Sequence, residues 1–265
     1  MPMSVISSPL NWILITSSTG PNSSTARATT THHYRCDKIN NVVKIVQTEK
    51  QSQVSQRIEG FRNASHSLVL QCDDDLLPDK RCLENLAAQL IEGEFAVGPR
   101  FRSSDGTIKS GLLPCLSKKT ILEKILFYLA NGSKGFQPGS VSKIGIGFGI
   151  TETTQKVVQV EWLPGGMVMH HKRNLILNNY YSYQGKAFSE DIIHSQKLLQ
   201  NGVKLLMIPE AVCFIPHEKR TFSKSLQSNI QYLIQYFKIC NDFKISKVRF
   251  ILFWNILMLK KYLYG

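Results

Sequence analysis

The chain has 265 residues, 43% hydrophobic and 19% charged, which excludes a disordered polymer and supplies apolar mass for a substantial core. Its formal net charge of +13 directs it toward anionic partners: nucleic acid, acidic lipid or phosphorylated substrates. Six cysteines lie singly with no C-x-x-C pair, which excludes a dense disulfide framework and predicts reduced thiols in a cytoplasmic protein.

Residues 1–16 do not read as a signal peptide, because a basic start is lacking and Pro9 and Asn11 interrupt the apolar run. No stretch reaches the roughly 18 uninterrupted apolar residues of a spanning helix. Trp12–Thr16 is predicted as a short buried strand, and the turn-rich Ser17–Asn22 closes it. Residues 23–40 are polar without a period and are expected to be loop with at most one helical turn. Val42–Gln47 predicts a second strand, and Gln51–Ala64 a helix with Val54, Ile58 and Phe61 on its apolar side. Leu68–Gln71 is the third strand. Strands alternating with helices predict a parallel sheet with right-handed crossovers.

The third strand runs into Cys72-Asp73-Asp74-Asp75, followed by Leu76-Leu77-Pro78. Asp73 and Asp75, two apart, fall on one side of an extended segment and can converge on one hard divalent cation. The competing reading is a solvated turn with Asp75 near a helix N-terminus. Downstream, Lys80–Glu92 is amphipathic, Phe95–Gly98 is strand-like, and 99–120 is basic and irregular. Ile121–Ala130 is predicted helical. The Gly145-x-Gly147-x-Gly149 run lacks the spacing and frame of a dinucleotide fingerprint and is read as a loop or strand edge.

Val157–Trp162 predicts a strand leading to Leu163-Pro164-Gly165-Gly166, where two glycines allow close backbone approach. His170, His171, Lys172 and Arg173 read as phosphate contacts or a basic edge strand. A helix is expected from Ser189 or Glu190 to Asn201, with Gly202 as its stop. Strands at Val203–Ile208 and Val212–Ile215 then lead to Pro216-His217. From Thr221 the chain is basic, aromatic and helical in pattern. It suits either a helix lying in a membrane interface or an ordinary helix packed on the domain.

The order of these motifs resembles the bacterial family 2 glycosyltransferases, with their GT-A fold. Gln53-x-x-Gln56-Arg57-x-x-Gly60-Phe61-x-x-Ala64, Asp73-Asp74-Asp75, Trp162-Leu163-Pro164-Gly165-Gly166, Glu190-Asp191 and His217 carry the resemblance, over roughly residues 12–220. It implies an α/β, GT-A-like, mixed but mainly parallel sheet flanked by helices in residues 1–220, followed by a basic helical tail in 221–265. It also implies Mg²⁺ or Mn²⁺ at Asp73, Asp75 and His217, with Asp74 nearer the donor sugar and Arg57 and Ser17 on the donor side. Gly165 and Gly166 are then placed on the acceptor side, and Glu190-Asp191 in catalysis, with Asp191 as the base of an inverting transfer. Each residue has a plainer reading as well: a first-turn charge preference for Glu190-Asp191, a solvated loop histidine for His217 and surface exposure for Arg57.

The resemblance departs from the family at the start. The family's opening strand and crossover helix have no counterpart in the few residues before Trp12, and Ser4–Ser7 cannot lie parallel to Trp12–Thr16 without a longer connection. Ser17 or Ser18 stands where the family has a base-contacting acid. The expectation is therefore a nucleotide-sugar glycosyltransferase acting on a glycan or lipid-linked acceptor. It is placed in the cytoplasm or peripherally on the inner membrane face, without nucleic acid as partner. The competing reading is a non-catalytic relative that binds sugar, lipid or a partner enzyme. Nucleotidyl transfer ranks third, because the charge is concentrated in an apolar-aromatic tail.

Overall fold

The computed structural model describes residues 2–7, 12–15, 31–36, 41–47, 52–90, 94–103, 106–107, 121–151, 153–181, 187–215, 230, 232–237, 239–240 and 245–264. Four strands open the chain: β1 (Pro2–Ser7), β2 (Trp12–Ile15), β3 (Thr31–Cys36) and β4 (Asn41–Gln47). β1 pairs antiparallel with both β2 and β4, so the segment before Trp12 returns beside it in the antiparallel sense. β3 corrects the expectation of loop for its residues. It is antiparallel to β4, and strand pairing across β4 supplies the order that the polar Thr31–Cys36 does not announce alone.

Helix α1 (Gln53–Asn63) follows, with Ser52 accepting from the Ser55 amide as its cap and Val54, Ile58 and Phe61 buried. Then come β5 (Leu68–Cys72), β6 (Leu77–Pro78), α2 (Cys82–Gln89), β7 (Phe95–Ser103) and α3 (Ile121–Asn131). The remainder comprises β8 (Val158–Val160), β9 (Met167–His171), α4 (Glu190–Gln200), β10 (Lys204–Ile215) and α5 (Lys247–Tyr264). Gly202, at φ +81°, ends α4 as the spacing predicts.

The strands form one sheet in the order β3-β4-β1-β2-β5-β9-β7-β10-β6, with β8 on β10. It is a mixed α/β architecture, as expected, but the parallel share is smaller than the alternation predicted. Among the described strands only β2–β5 and β7–β10 are parallel pairs. β9 enters antiparallel between β5 and β7, and β1, β3, β4, β6 and β8 add further antiparallel pairs. His170 and His171 therefore belong to an interior strand, not to a basic edge. The predicted strands at 203–208 and 212–215 are one strand, β10, with a register shift between Ile208 and Val212.

The tail helix packs on the domain. Phe250, Phe253 and Leu257 of α5 share a core with Leu126 and Ala130 of α3, and with Ile144, Ile146 and Phe148. Tyr236 stacks on Phe250 with ring centres 3.8 Å apart, and Lys260 pairs with the buried Glu123 at 3.1 Å. The other face of α5 is also apolar. Val248 and, three, four and eleven residues after it, Ile251, Leu252 and Leu259 are exposed, as are Ile121, Ile125 and Tyr128 of α3. Among the described residues no helix is long and apolar enough to cross a membrane.

Candidate active site

The antiparallel insertion of β9 builds the site. Register places Cys72, the last residue of β5, opposite Met167, the first of β9. The residue after one strand therefore meets the residue before the other, and the Asp73 amide donates to the Gly166 carbonyl at 2.7 Å. Two motifs far apart in sequence become neighbours through a single ladder. Gln71 extends the link, since its side-chain amide donates to the Gly165 carbonyl.

Both glycines sit at close approaches, the tighter at Gly165. A Cβ on Gly165 would stand 2.7 Å from Glu190 Oε1 and 3.3 Å from Asp191 Cβ. One on Gly166 would stand 3.2 Å from Leu76 Cδ1 and 3.4 Å from Asp73 Oδ2. The Gly165-Gly166 turn thus separates Glu190-Asp191 from Asp73 by little more than a backbone's thickness. Helix α4 is fastened to the same turn through Ser195, whose hydroxyl accepts from the Leu163 amide at 3.0 Å.

Arg57 lies inside, 2% exposed, and its guanidinium donates to Glu190 Oε2 at 2.6 Å, with Glu190 4% exposed. The Tyr180 hydroxyl donates to the same oxygen at 3.1 Å. Burial works to lower the Arg57 pKa, but Glu190, Tyr180 and Asp73 together outweigh it and the guanidinium stays charged. Burial and Glu190 hold the Tyr180 phenol well above its ordinary value, so it remains a donor. Arg57 is accordingly held within the protein by Glu190, not displayed on a surface helix face.

Asp191 and Asp73 are destabilised as anions. Burial, reinforced by the Glu190 charge, raises Asp191 to about 7, despite hydrogen bonds from backbone amides such as that of Ile192 at 3.0 Å. The helix N-terminus, expected to keep this group acidic, is overruled by desolvation. Burial also raises Asp73 to about 7, with Arg57 opposing and Asp75, Glu190 and Asp74 adding to it. Asp74 and Asp75 are exposed.

Beneath the ion pair lie His170 and His194, with ring centres 5.5 Å apart. His194 stacks on Tyr180 at 5.3 Å. Burial holds His194 down to about 3 and His170 well below the ordinary histidine range, so both are neutral. His194 sits four residues after Glu190 on α4, a spacing legible in sequence. Tyr180 and Gln71 carry no such signal, because their roles depend on contacts across the fold. Ser17 and His217 lie outside the described residues.

Among the described residues no group of three His, Cys, Asp or Glu side chains is gathered as a metal site. The residues present nevertheless fit Mg²⁺ or Mn²⁺. Such ions take one or two carboxylates together with substrate phosphates, and Asp73 and the exposed Asp75 offer carboxylate oxygens at the strand end, that of Asp73 without full charge compensation.

No curated protein matches the chain. One solved structure that it resembles, "Crystal structure of GalNAc-T7 with UDP, GalNAc and Mn2+", aligns at 14% identity with a TM-score of 0.44. That alignment covers 63% of this chain and 30% of the other, so this chain spans under a third of that protein's length. The family described as Glycosyl transferase family 2 matches residues 21–141, a span that contains Arg57 and Asp73–Asp75 and ends before Gly165, Glu190 and Asp191. Residues 21–141 thus carry the glycosyl transferase family 2 pattern, the same family that the ordered motifs of the whole chain resemble.

Proposed function

We propose that the protein transfers a sugar from a nucleotide-diphosphate donor to a hydroxyl of a glycan or lipid-linked acceptor, with inversion at the anomeric carbon. The observation that carries this reading is the meeting of Asp73, Gly165-Gly166 and Glu190-Asp191 at one strand end, with Arg57 bound to Glu190. Ligands of such sheets sit outside strand ends, where Asp73–Asp75 lie. A bond forms from the acceptor oxygen to the anomeric carbon, the bond from that carbon to the diphosphate oxygen breaks, and the acceptor proton passes to Asp191. A carboxyl near 7 suits that task, since a base works best with a pKa near the working pH.

Asp73 and Asp75 would hold Mg²⁺ or Mn²⁺, which when bound supplies Lewis-acid stabilisation of the departing diphosphate. Asp74 lies on the donor side with them. Gly165 and Gly166 are kept on the acceptor side from the family resemblance, and their lack of side chains lets Asp191 and Asp73 pack close to one turn. Arg57 and Tyr180 act on Glu190, fixing the start of α4 and hence the position of Asp191. Ser17 and His217 are retained as donor and metal contacts from the family resemblance. Incubation with Mn²⁺ and a panel of nucleotide sugars should release nucleoside diphosphate. Chelation should abolish that release, and Asp73→Asn or Asp75→Asn should reduce it by at least about tenfold. Unchanged rates in chelator or in both variants would sink the metal-assisted mechanism.

The same reading places the protein against an anionic membrane surface. The exposed aliphatic stripe of α5 and its companion on α3, flanked by the exposed Lys124 and Lys247, favour a bilayer over nucleic acid. The buried thiols of Cys72, Cys82, Cys213 and Cys240 are free, which agrees with the cytoplasmic face. Sedimentation with phosphatidylglycerol vesicles should exceed that with neutral vesicles, and Val248→Glu together with Leu252→Glu should remove the difference. Equal sedimentation with both vesicle types would count against this contact.

A further inference from the structure

Helix α4 has two working faces. Glu190 and Asp191 lie against Gly165, while Ser195 and Leu198 are buried toward the sheet. The opposite side of the helix, carrying Ser189, Ile192, Ile193, Gln196 and Leu199, borders a cavity of about 430 Å³. The volume is that of a small-molecule site. The far wall comes from the 141–145 turn and from Ile239 and Ile245, and half of the lining residues are aliphatic.

One lining residue, Lys143, is cationic. A Cβ on Gly132 would stand 3.6 Å from Lys143 Nζ and 3.5 Å from a terminal nitrogen of Arg249, so two cations converge on one point beside the cavity that Lys143 lines. Among the described residues neither forms an ion pair with a carboxylate. Arg249 donates to the Tyr128 carbonyl at 3.3 Å and keeps further N–H groups for another acceptor. Glu161 also borders the cavity, and its Oε2 is engaged by the Val141 amide at 2.7 Å. A half-aliphatic chamber lined by Lys143, with Arg249 close to that lysine, is complementary to an amphiphilic anion.

We propose that this cavity binds the hydrocarbon chain of a long-chain phosphate, with the phosphate held at Lys143 and Arg249. The site is distinct from the transfer site, because it lies across α4 from the two carboxylates. It touches the transfer site through Ser189, the residue before Glu190. Ser189 is the one non-glycine residue at positive φ (57°) among the described residues, and it has no side-chain capping bond to α4. Occupation of the cavity therefore bears on the turn that presents Glu190 and Asp191. The inference rests on the cavity alone, so its test is a binding measurement that stands whether or not sugar transfer is detected.

The test is calorimetric titration of the full-length protein with dodecyl phosphate below its micellar concentration, with dodecanol and inorganic phosphate as controls. Saturable one-to-one binding of dodecyl phosphate is expected, with both controls at least about tenfold weaker, since each supplies only half of the recognition. Lys143→Gln, at an exposed position, should weaken binding by about tenfold, the value of one charge-assisted contact. Ile192→Trp should fill the chamber and block binding. If that variant does not fold, Lys143→Gln and the controls decide the matter. Farnesyl phosphate and dilauroyl phosphatidic acid then separate a prenyl carrier from a bilayer lipid by whichever binds more tightly. Absence of saturable binding, or equal affinity of wild type and Lys143→Gln, overturns the proposal.

Discussion

Asp191→Asn should lower the rate of sugar transfer by about 10²–10⁴-fold, the usual range for removing a positioned base. Wild-type turnover should rise with pH through about 7, where Asp191 loses its proton, and level off above that. In Asp191→Asn the rise should disappear with the activity. Stability runs the other way. An unfolded Asp titrates near 3.9, so between about 4 and 7 the folded protein binds more protons at this position than the unfolded chain. Its contribution is present below about 4 and is lost as pH rises through about 7. Urea midpoints across that window should therefore slope less steeply downward with pH in Asp191→Asn than in wild type. A variant with the wild-type rate and pH profile would remove Asp191 from the mechanism.

Arg57→Met should destabilise the protein by about 3–5 kcal/mol, the usual cost of leaving one partner of a buried ion pair uncompensated. Glu190 would retain only the Tyr180 hydroxyl. The double variant Arg57→Met, Glu190→Leu should recover much of that loss in urea unfolding, because no buried charge is then stranded. The recovered protein should still transfer sugar poorly, since the start of α4 would no longer be tethered to α1. Stability and activity would thus separate. A single Arg57→Met variant as stable as wild type would mean that the pair contributes nothing to the fold.

The two halves of this site differ in how far they were legible in advance. Asp73–Asp75 ends an apolar strand, Gly165-Gly166 follows another, and Glu190-Asp191 opens a helix between Ser189 and Gly202. Those are local signals of propensity, capping and turn chemistry, and the elements stand where they were expected. Arg57 shows the limit. Its helical position is plain from Val54, Ile58 and Phe61, but a long cationic side chain is ordinarily exposed. The carboxylate of Glu190, brought from α4, together with Tyr180 and Asp73 makes burial tolerable.

By itself the sequence determined the mixed α/β class, most element positions, the acidic strand end and the order of motifs, because these follow from periods of two and 3.6 and from caps. Tertiary structure decided the rest. Strand direction at β9 depends on how the chain returns from β8, which no local pattern encodes. That direction is what sets Asp73 beside Gly166. The Asp191 pKa likewise depends on how much protein surrounds it. Its helix N-terminus argues for an acid, and desolvation with Glu190 alongside turns it into a base near neutrality. The tail was legible as a basic, apolar helix, but its division into a face buried on α3 and a face left exposed is a property of the packed molecule.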